Sequence, residues 1–99
     1  MPYRIEYSPR AFGHLEALTA RNRAIIHAEV QRQLTDQPDV ATRIRKVLKA
    51  NALAVRELRI DVFRVYYDVM TDPDPVVKIR AIGVETGNQV FIAGKEVTL

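Results

Sequence analysis

Cysteine is absent from this 99-residue chain, and so is any apolar run long enough to cross a membrane. Without cysteine there can be no disulfide framework and no thiolate metal site, so we expect a protein of a reducing compartment such as the cytoplasm. The start of the chain lacks the charged-then-apolar layout of a signal peptide, and we expect no contact with a membrane. We also expect neither a metal ion nor a cofactor, since no ligand spacing surrounds either histidine.

The composition is that of an ordinary globular protein, with 47% hydrophobic and 27% charged residues. Such a composition favours a folded chain over a disordered one. A chain of 99 residues can bury one modest core but not two. Residues 1–99 are therefore predicted to form one domain.

Positive charge is concentrated in one segment, although the whole chain carries only +3. Between Arg43 and Arg64 the basic residues exceed the acidic ones by five, whereas the remainder of the chain sums to −2. Such a concentration attracts a phosphate backbone or an acidic protein, and a solvated basic loop is the alternative. The cations predicted to bind RNA or phosphate, including two farther along the chain, are Arg43, Arg45, Lys46, Lys49, Arg56, Lys78 and Arg80.

Hydrophobic periodicity predicts a strand, two helices and then a run of strands. Residues 3–7 alternate as in a strand, and the Ser8-Pro9 pair that follows is typical of a helix start. Helices are predicted over about 9–18 and 21–35, and strands at 55–60, 62–70, 76–84 and 89–92. Residues 39–54 fit a short helix or an ordered loop, and residues 95–99 fit a strand or a partner-binding segment.

This order predicts an α+β fold: an N-terminal strand, an antiparallel two-helix hairpin, and a mainly antiparallel twisted sheet with the helices packed on one face. Side chains alternate along a strand, so Ala81 is expected beneath the helices and Ile82 on the other face. We expect that other face to be open to solvent and positively charged. Tyr66 would stack there on a base, beside Arg59, Arg64, Lys78 and Arg80. An ordinary charged sheet face is the alternative.

Three stretches in a fixed order carry a resemblance to a known family: YRIEYSPRAFGHLEAL, ELRIDVFRVYYDV and VVKIRAIGV. In this order and spacing the chain resembles the RelE/ParE superfamily of toxins from bacterial toxin–antitoxin modules. The resemblance implies a RelE/ParE-like fold and a cytoplasmic toxin that arrests growth. It also implies a cognate antitoxin partner whose C-terminal segment wraps the sheet and helices, in a hetero-oligomer.

Members of the RelE branch cut messenger RNA in the ribosomal A site, where the 2′-hydroxyl attacks the adjacent phosphate. Such chemistry needs a base, cations and an acid. The resemblance carries over Arg64 with its neighbour Arg59. The lysine positions of that branch instead fall on Val55 and Glu57, and its later arginine and tyrosine positions fall on Glu85 and Phe91.

This departure leaves three functions open. The first, which we predict, is inhibition of translation by cleavage of mRNA on the ribosome with a rearranged endoribonuclease site. The second is ParE-like inhibition of DNA gyrase through protein contacts, and the third is an attenuated homologue that mainly binds its antitoxin. The rearranged site would use Glu57 or Glu85 as base, Arg59, Arg64 and Arg80 on phosphate, and Tyr66 as acid.

Overall fold

Residues 2–98, which the computed structural model describes, form two helices and seven strands. Their order confirms the predicted α+β fold, and neither helix in this part of the chain is long and apolar enough to span a bilayer. In chain order the elements are β1 (Arg4–Tyr7), α1 (Pro9–Glu16), α2 (Ala20–Leu34), β2 (Arg45–Val47), β3 (Arg56–Ile60), β4 (Phe63–Met70), β5 (Val76–Thr86), β6 (Gln89–Ile92) and β7 (Lys95–Val97).

Side-chain caps fix where the two helices begin. Ser8 precedes Pro9, and its Oγ accepts a hydrogen bond from the Ala11 amide at 3.0 Å. Thr19 caps α2 in the same way, through the Asn22 amide at 3.1 Å. Each hydroxyl satisfies an amide that the helix itself cannot pair, so both starts are encoded locally in the sequence.

The strands form one sheet in the order β2-β3-β4-β5-β6-β7, and every neighbouring pair in that series is antiparallel. β1 joins the sheet by pairing in parallel with the start of β5, from Val76 to Ile79. One edge of β5 therefore carries β1 at its beginning and β6 at its end, while β4 takes the other edge. The mainly antiparallel sheet is as predicted.

Helix α1 closes the gap that β1 and β6 leave along that edge of β5. The Ser8 Oγ donates to the Arg80 carbonyl at 3.1 Å, and the Ile82 amide donates to His14 Nδ1 at 3.1 Å. These bonds pair backbone groups that neither strand reaches. Hydrogen bonds as well as apolar packing therefore hold α1 against the sheet.

A bulge in β5 reverses the alternation of its side chains. Tyr66 lies opposite Ala81, whereas the next residue of β4 lies opposite Ile79, so Arg80 has no partner in β4. Beyond the bulge Ile82 packs against the helices and Ala81 lies on the other face. Our expectation for these two residues is therefore wrong, since one inserted residue shifts every later side chain to the opposite face.

Apolar clusters lie on both faces of the sheet. The face away from the helices is partly covered by residues 48–54 and the β6–β7 hairpin, so the expectation of an open face is wrong. The core on the helix side includes Ala11, Leu15, Ile26, Val30, Leu34, Leu58, Val65, Tyr67, Val77, Ile79 and Ile82. The second cluster, on the other face, comprises Ala54, Tyr66, Ala81 and Ile92, bordered by Leu48, Leu53, Val90 and Val97.

Residues 39–54 form a loop that contains one short strand, β2, and no helix. Asn51 shapes its end, because its Oδ1 accepts hydrogen bonds from the amides of Leu53 and Ala54 at 2.7 and 3.1 Å. This turn brings Ala54 against Tyr66 in the second cluster.

Residues 95–99 were expected to form either a strand or a partner-binding segment. The structure shows strand β7 at Lys95–Val97, and Leu99 lies outside the described residues.

Candidate functional site

A cleft of about 260 Å³ lies on the face of the sheet away from the helices. It is lined by strands β2 to β5 and by the β6–β7 hairpin. All five residues predicted to be catalytic line it: Glu57, Arg59, Arg64, Tyr66 and Glu85. The rest of the lining is Lys46, Leu48, Asn88, Gln89, Val90, Glu96, Val97 and Thr98.

The wall of the cleft depends on a close contact between β5 and β6 at Gly83. A Cβ atom at this position would lie 2.9 Å from Val90 Cγ1 and 3.2 Å from Ile92 Cγ1. Side chains do not normally approach so closely, so glycine allows the β6–β7 hairpin to fold over this face. Because Gly83 lies opposite Arg64 in the ladder, the hairpin passes close to that arginine.

Arg64 is buried in the lining of the cleft rather than displayed on an open surface, with 3% of the residue exposed. Its Nη2 lies 2.9 Å from Glu85 Oε2. Its Nη1 donates to the carbonyls of Asp61 and Phe63, both at 2.9 Å. The expectation that Arg64 points to open solvent is wrong, because its guanidinium is held by the β3–β4 turn, where Asp61 adopts a φ of 51°.

Glu57 and Tyr66 are neighbours across the β3–β4 ladder and share the cleft. Glu57 is 7% exposed, and Lys46 Nζ lies 3.8 Å from its Oε1. Burial and then the negative charge of Glu57 raise the pKa of Tyr66, so the phenol keeps its proton at neutral pH. Since Tyr66 is only 1% exposed, the expectation that a base stacks on its ring is wrong.

Positive and negative groups are balanced in the cleft. Its cations are Lys46, Arg59 and Arg64, and its carboxylates are Glu57, Glu85 and Glu96. A positively charged platform was expected, but the end of β5 and the β7 strand bring in two of these carboxylates. Lys46 and Arg59 are the exposed cations, and an anion from solvent can reach both.

Two of the other predicted phosphate-binding cations are engaged within the fold. The Nη1 of Arg45 donates to the carbonyls of Gln33 and Gln37 at 2.8 and 3.0 Å, at the end of α2. Arg80 pairs with Asp68, with 2.9 Å between Nε and Oδ2. Arg80 therefore does not join Arg59 and Arg64 as the sequence suggested. The remaining cations of the prediction, none of which lines the cleft, are Arg43, Lys49, Arg56 and Lys78.

Sequence reasoning missed the hairpin wall of the cleft. Gln89 Nε2 donates to Glu96 Oε2 at 2.9 Å and thereby joins β6 to β7 across the wall. The available signal was two turns, at Gly87 and Gly94, both of which have positive φ. They bracket a short alternating stretch and indicate a hairpin, but they do not show which face of the sheet it covers.

A solved structure of similar fold is the toxin–antitoxin complex RelBE2 from Mycobacterium tuberculosis. The likeness covers 86% of this chain and 100% of the matched chain, with 22% sequence identity and a TM-score of 0.68. The two chains share a fold. The α+β fold expected from the resemblance is thus confirmed. No protein-family model and no curated protein sequence matches this chain.

Proposed function

We propose that this chain is the toxin of a type II toxin–antitoxin module and that it cleaves RNA in the cleft. The observation that carries the proposal is that a base candidate, an acid candidate and two arginines, chosen from the sequence alone, line one cleft. The shared fold with a chain of a toxin–antitoxin complex supports the proposal. We propose messenger RNA on the ribosome as the substrate and the cytoplasm as the site of action.

In the proposed reaction the 2′-oxygen of the RNA bonds to the adjacent phosphorus while the bond from phosphorus to the 5′-oxygen breaks. Glu57 takes the proton of the 2′-hydroxyl. Tyr66, whose ring is buried but whose side chain lines the cleft, gives its proton to the leaving 5′-oxygen. Arg59 and Arg64 stabilise the charge that develops on the phosphate. The products are a 2′,3′-cyclic phosphate and a free 5′-hydroxyl. Glu57 is the better base, because Arg64 already holds the Glu85 carboxylate.

Replacing Arg59 by alanine tests this proposal with little risk to the fold, because Arg59 is exposed. Removing one stabilising group from a transition state typically slows a reaction about a hundredfold. We expect the wild-type protein to inhibit cell-free translation and to leave mRNA fragments that end in a cyclic phosphate. The R59A variant should lose most of both effects. Arg21→Ala, which removes an exposed arginine of α2, is the matched control.

The neutral charge of the cleft favours a second candidate, which is inhibition of a protein target by surface contact. Arg64 is neutralised by Glu85, so a nuclease would have to free it before use. DNA gyrase is the target that the family resemblance suggests. Inhibition of gyrase-dependent supercoiling with normal cell-free translation would support this candidate and exclude the ribonuclease. A protein inactive in both assays would fit a homologue that mainly binds an antitoxin.

A further inference from the structure

Arg64 and Glu85 form an ion pair in which the cation is buried and the anion is partly exposed. The Arg64 side chain is 4% exposed, and its Nη1 is held by two backbone carbonyls. The Glu85 side chain is 39% exposed and approaches Nη2 from the cleft. The Glu85 backbone is fixed, since its amide donates to the Val62 carbonyl at 2.7 Å. Rotation of the Glu85 side chain is therefore the smallest movement that frees Nη2.

Carboxylate and phosphate oxygens compete for the same position on an arginine, because both accept hydrogen bonds from the guanidinium in similar geometry. While Glu85 is bound, the charge of Arg64 is neutralised. A phosphate entering the cleft would meet the charge of Glu85 and not that of Arg64. Among the described residues, Glu85 is the anion paired with this guanidinium.

We propose that Glu85 is the resting occupant of a phosphate-binding position on Arg64, and that an RNA phosphate binds there only when the Glu85 side chain rotates away. RNA as the natural ligand rests on the proposed function, whereas the anion position rests on the ion pair. Glu85 thus acts as an internal competitor. In the free protein it neutralises the buried Arg64, and it thereby lowers the affinity of the cleft for RNA.

Glu85→Gln tests the proposal, because it keeps the size of the side chain and removes its charge. The ligand is a fluorescein-labelled, fully 2′-O-methylated RNA oligonucleotide, which cannot be cleaved, and binding is measured by fluorescence anisotropy. We expect the Kd of E85Q to be about tenfold lower than that of the wild type, as for removal of a close competing charge.

Glu96→Gln is the matched control, because it removes the same charge from the same cleft. The Glu96 carboxylate accepts a hydrogen bond from Gln89 and is not paired with Arg64. We expect its Kd to fall only about twofold, since the effect of an unpaired exposed charge is screened by salt. Equal Kd values for wild type and E85Q would overturn the proposal. Equal decreases in Kd for E85Q and E96Q would also overturn it, because the tighter binding would then follow from the change in net charge alone.

A second measurement separates this inference from the proposed function. Thermal unfolding is followed in sodium phosphate and in sodium chloride of equal ionic strength. We expect phosphate to raise the Tm of E85Q more than that of the wild type. If it does so while RNA binding and inhibition of translation are absent, the anion position on Arg64 stands, whereas RNA as its ligand and the proposed function both fail. If E85Q shows no phosphate-specific rise, the inference fails, whatever the protein does to RNA.

E85Q leaves a buried guanidinium without its counter-ion and can lower stability. Glu85→Asp offers a second variant, since it keeps the charge but shortens the stem that reaches Arg64. We expect it to bind the oligonucleotide more tightly than the wild type does, by less than E85Q. Weaker binding by a folded E85D than by the wild type would count against the proposal.

Discussion

His14 links protonation to folding at the scale of one residue. Its Nδ1 accepts a hydrogen bond from the Ile82 amide at 3.1 Å, so the neutral ring carries its proton on Nε2. Burial, and then the positive charge of Arg10, lower the pKa of His14. A protonated ring could no longer accept from Ile82, and α1 would lose one of its attachments to β5.

The expected result is a loss of stability in mild acid. The pKa of His14 is lower in the folded chain than the unfolded value of about 6.5, so the unfolded chain binds the proton first. The stability that neutral His14 contributes should be fully present above about pH 6.5. It should be lost as the pH falls through the lowered pKa of His14 in the folded chain. Urea unfolding at several pH values measures this.

His14→Leu should flatten that pH dependence while leaving the Ile82 amide unpaired, at a cost of about 1–3 kcal/mol at neutral pH. A profile that H14L leaves unchanged would show that other groups set the pH dependence.

The sequence was enough to predict which side chains of β3 and β4 share the cleft face, but not which groups surround them. Parity along β3 and β4 places Glu57, Arg59, Arg64 and Tyr66 on one face, and the structure agrees. Their burial depends on groups that are remote in sequence, such as the Glu85 carboxylate on Arg64. Electrostatic partners of this kind require the whole fold, so the positive platform was expected where a balanced cleft exists.

At the scale of elements, the bulge at Arg80 decides which side chains meet Arg64. In an unbroken β5, alternation would place Glu85 on the same face as Val77 and Ile79, under the helices. The inserted residue moves Glu85 to the cleft face. The sequence carries no sign of this bulge, since VVKIRAIGV alternates plausibly in either register. Helix starts, by contrast, were predictable because capping is local.

Gly83→Ala tests the contact that shapes the cleft wall. The added methyl group would lie 2.9 Å from Val90 Cγ1 and 3.3 Å from the Phe91 carbonyl oxygen, so β6 must shift. Overpacking of this kind typically costs about 1–3 kcal/mol. We expect G83A to unfold at lower urea and to bind the RNA oligonucleotide more weakly, because the wall moves away from Arg64.

Gly13→Ala is the matched control for that experiment. Gly13 lies within α1, and an added Cβ would meet no atom within 4 Å. Alanine has the higher helix propensity, so G13A should raise stability by up to about 1 kcal/mol. If G83A lowers the free energy of unfolding and G13A raises it, the cost of G83A lies in the β5–β6 contact. If both substitutions destabilise the protein equally, the close contact at Gly83 does not explain that cost.

At the scale of the molecule, the fold was predicted more completely than the site. Periodicity and order of elements led to helices on one face of an antiparallel sheet, as found. The three-residue strand β2 was not predicted, because so short an edge strand shows too little alternation to be recognised. A strand at 89–92 was predicted and is found as β6, but the covering of the sheet face by the β6–β7 hairpin was not predicted. Strand β2 and the hairpin both line the cleft.

The surface of the whole molecule favours a partner protein, which we propose to be an antitoxin. The chain carries a net charge of +3, and several large apolar side chains are between 39% and 57% exposed. A partner with an acidic, amphipathic segment would complement both features. These side chains are Phe12, Ile25, Val40, Val47, Val55, Val62 and Met70.

Induction of this chain alone in bacteria should therefore arrest growth, and co-expression of the protein encoded by the adjacent gene should restore it. The two proteins should co-purify as a hetero-oligomer whose mass is measured by light scattering. R59A separates the two activities: it should still co-purify with the partner, because it leaves the exposed apolar side chains unchanged, but it should no longer arrest growth. Normal growth with wild-type protein at matched expression would leave partner binding as the function of the chain. Loss of co-purification in R59A would place the partner on the cleft itself.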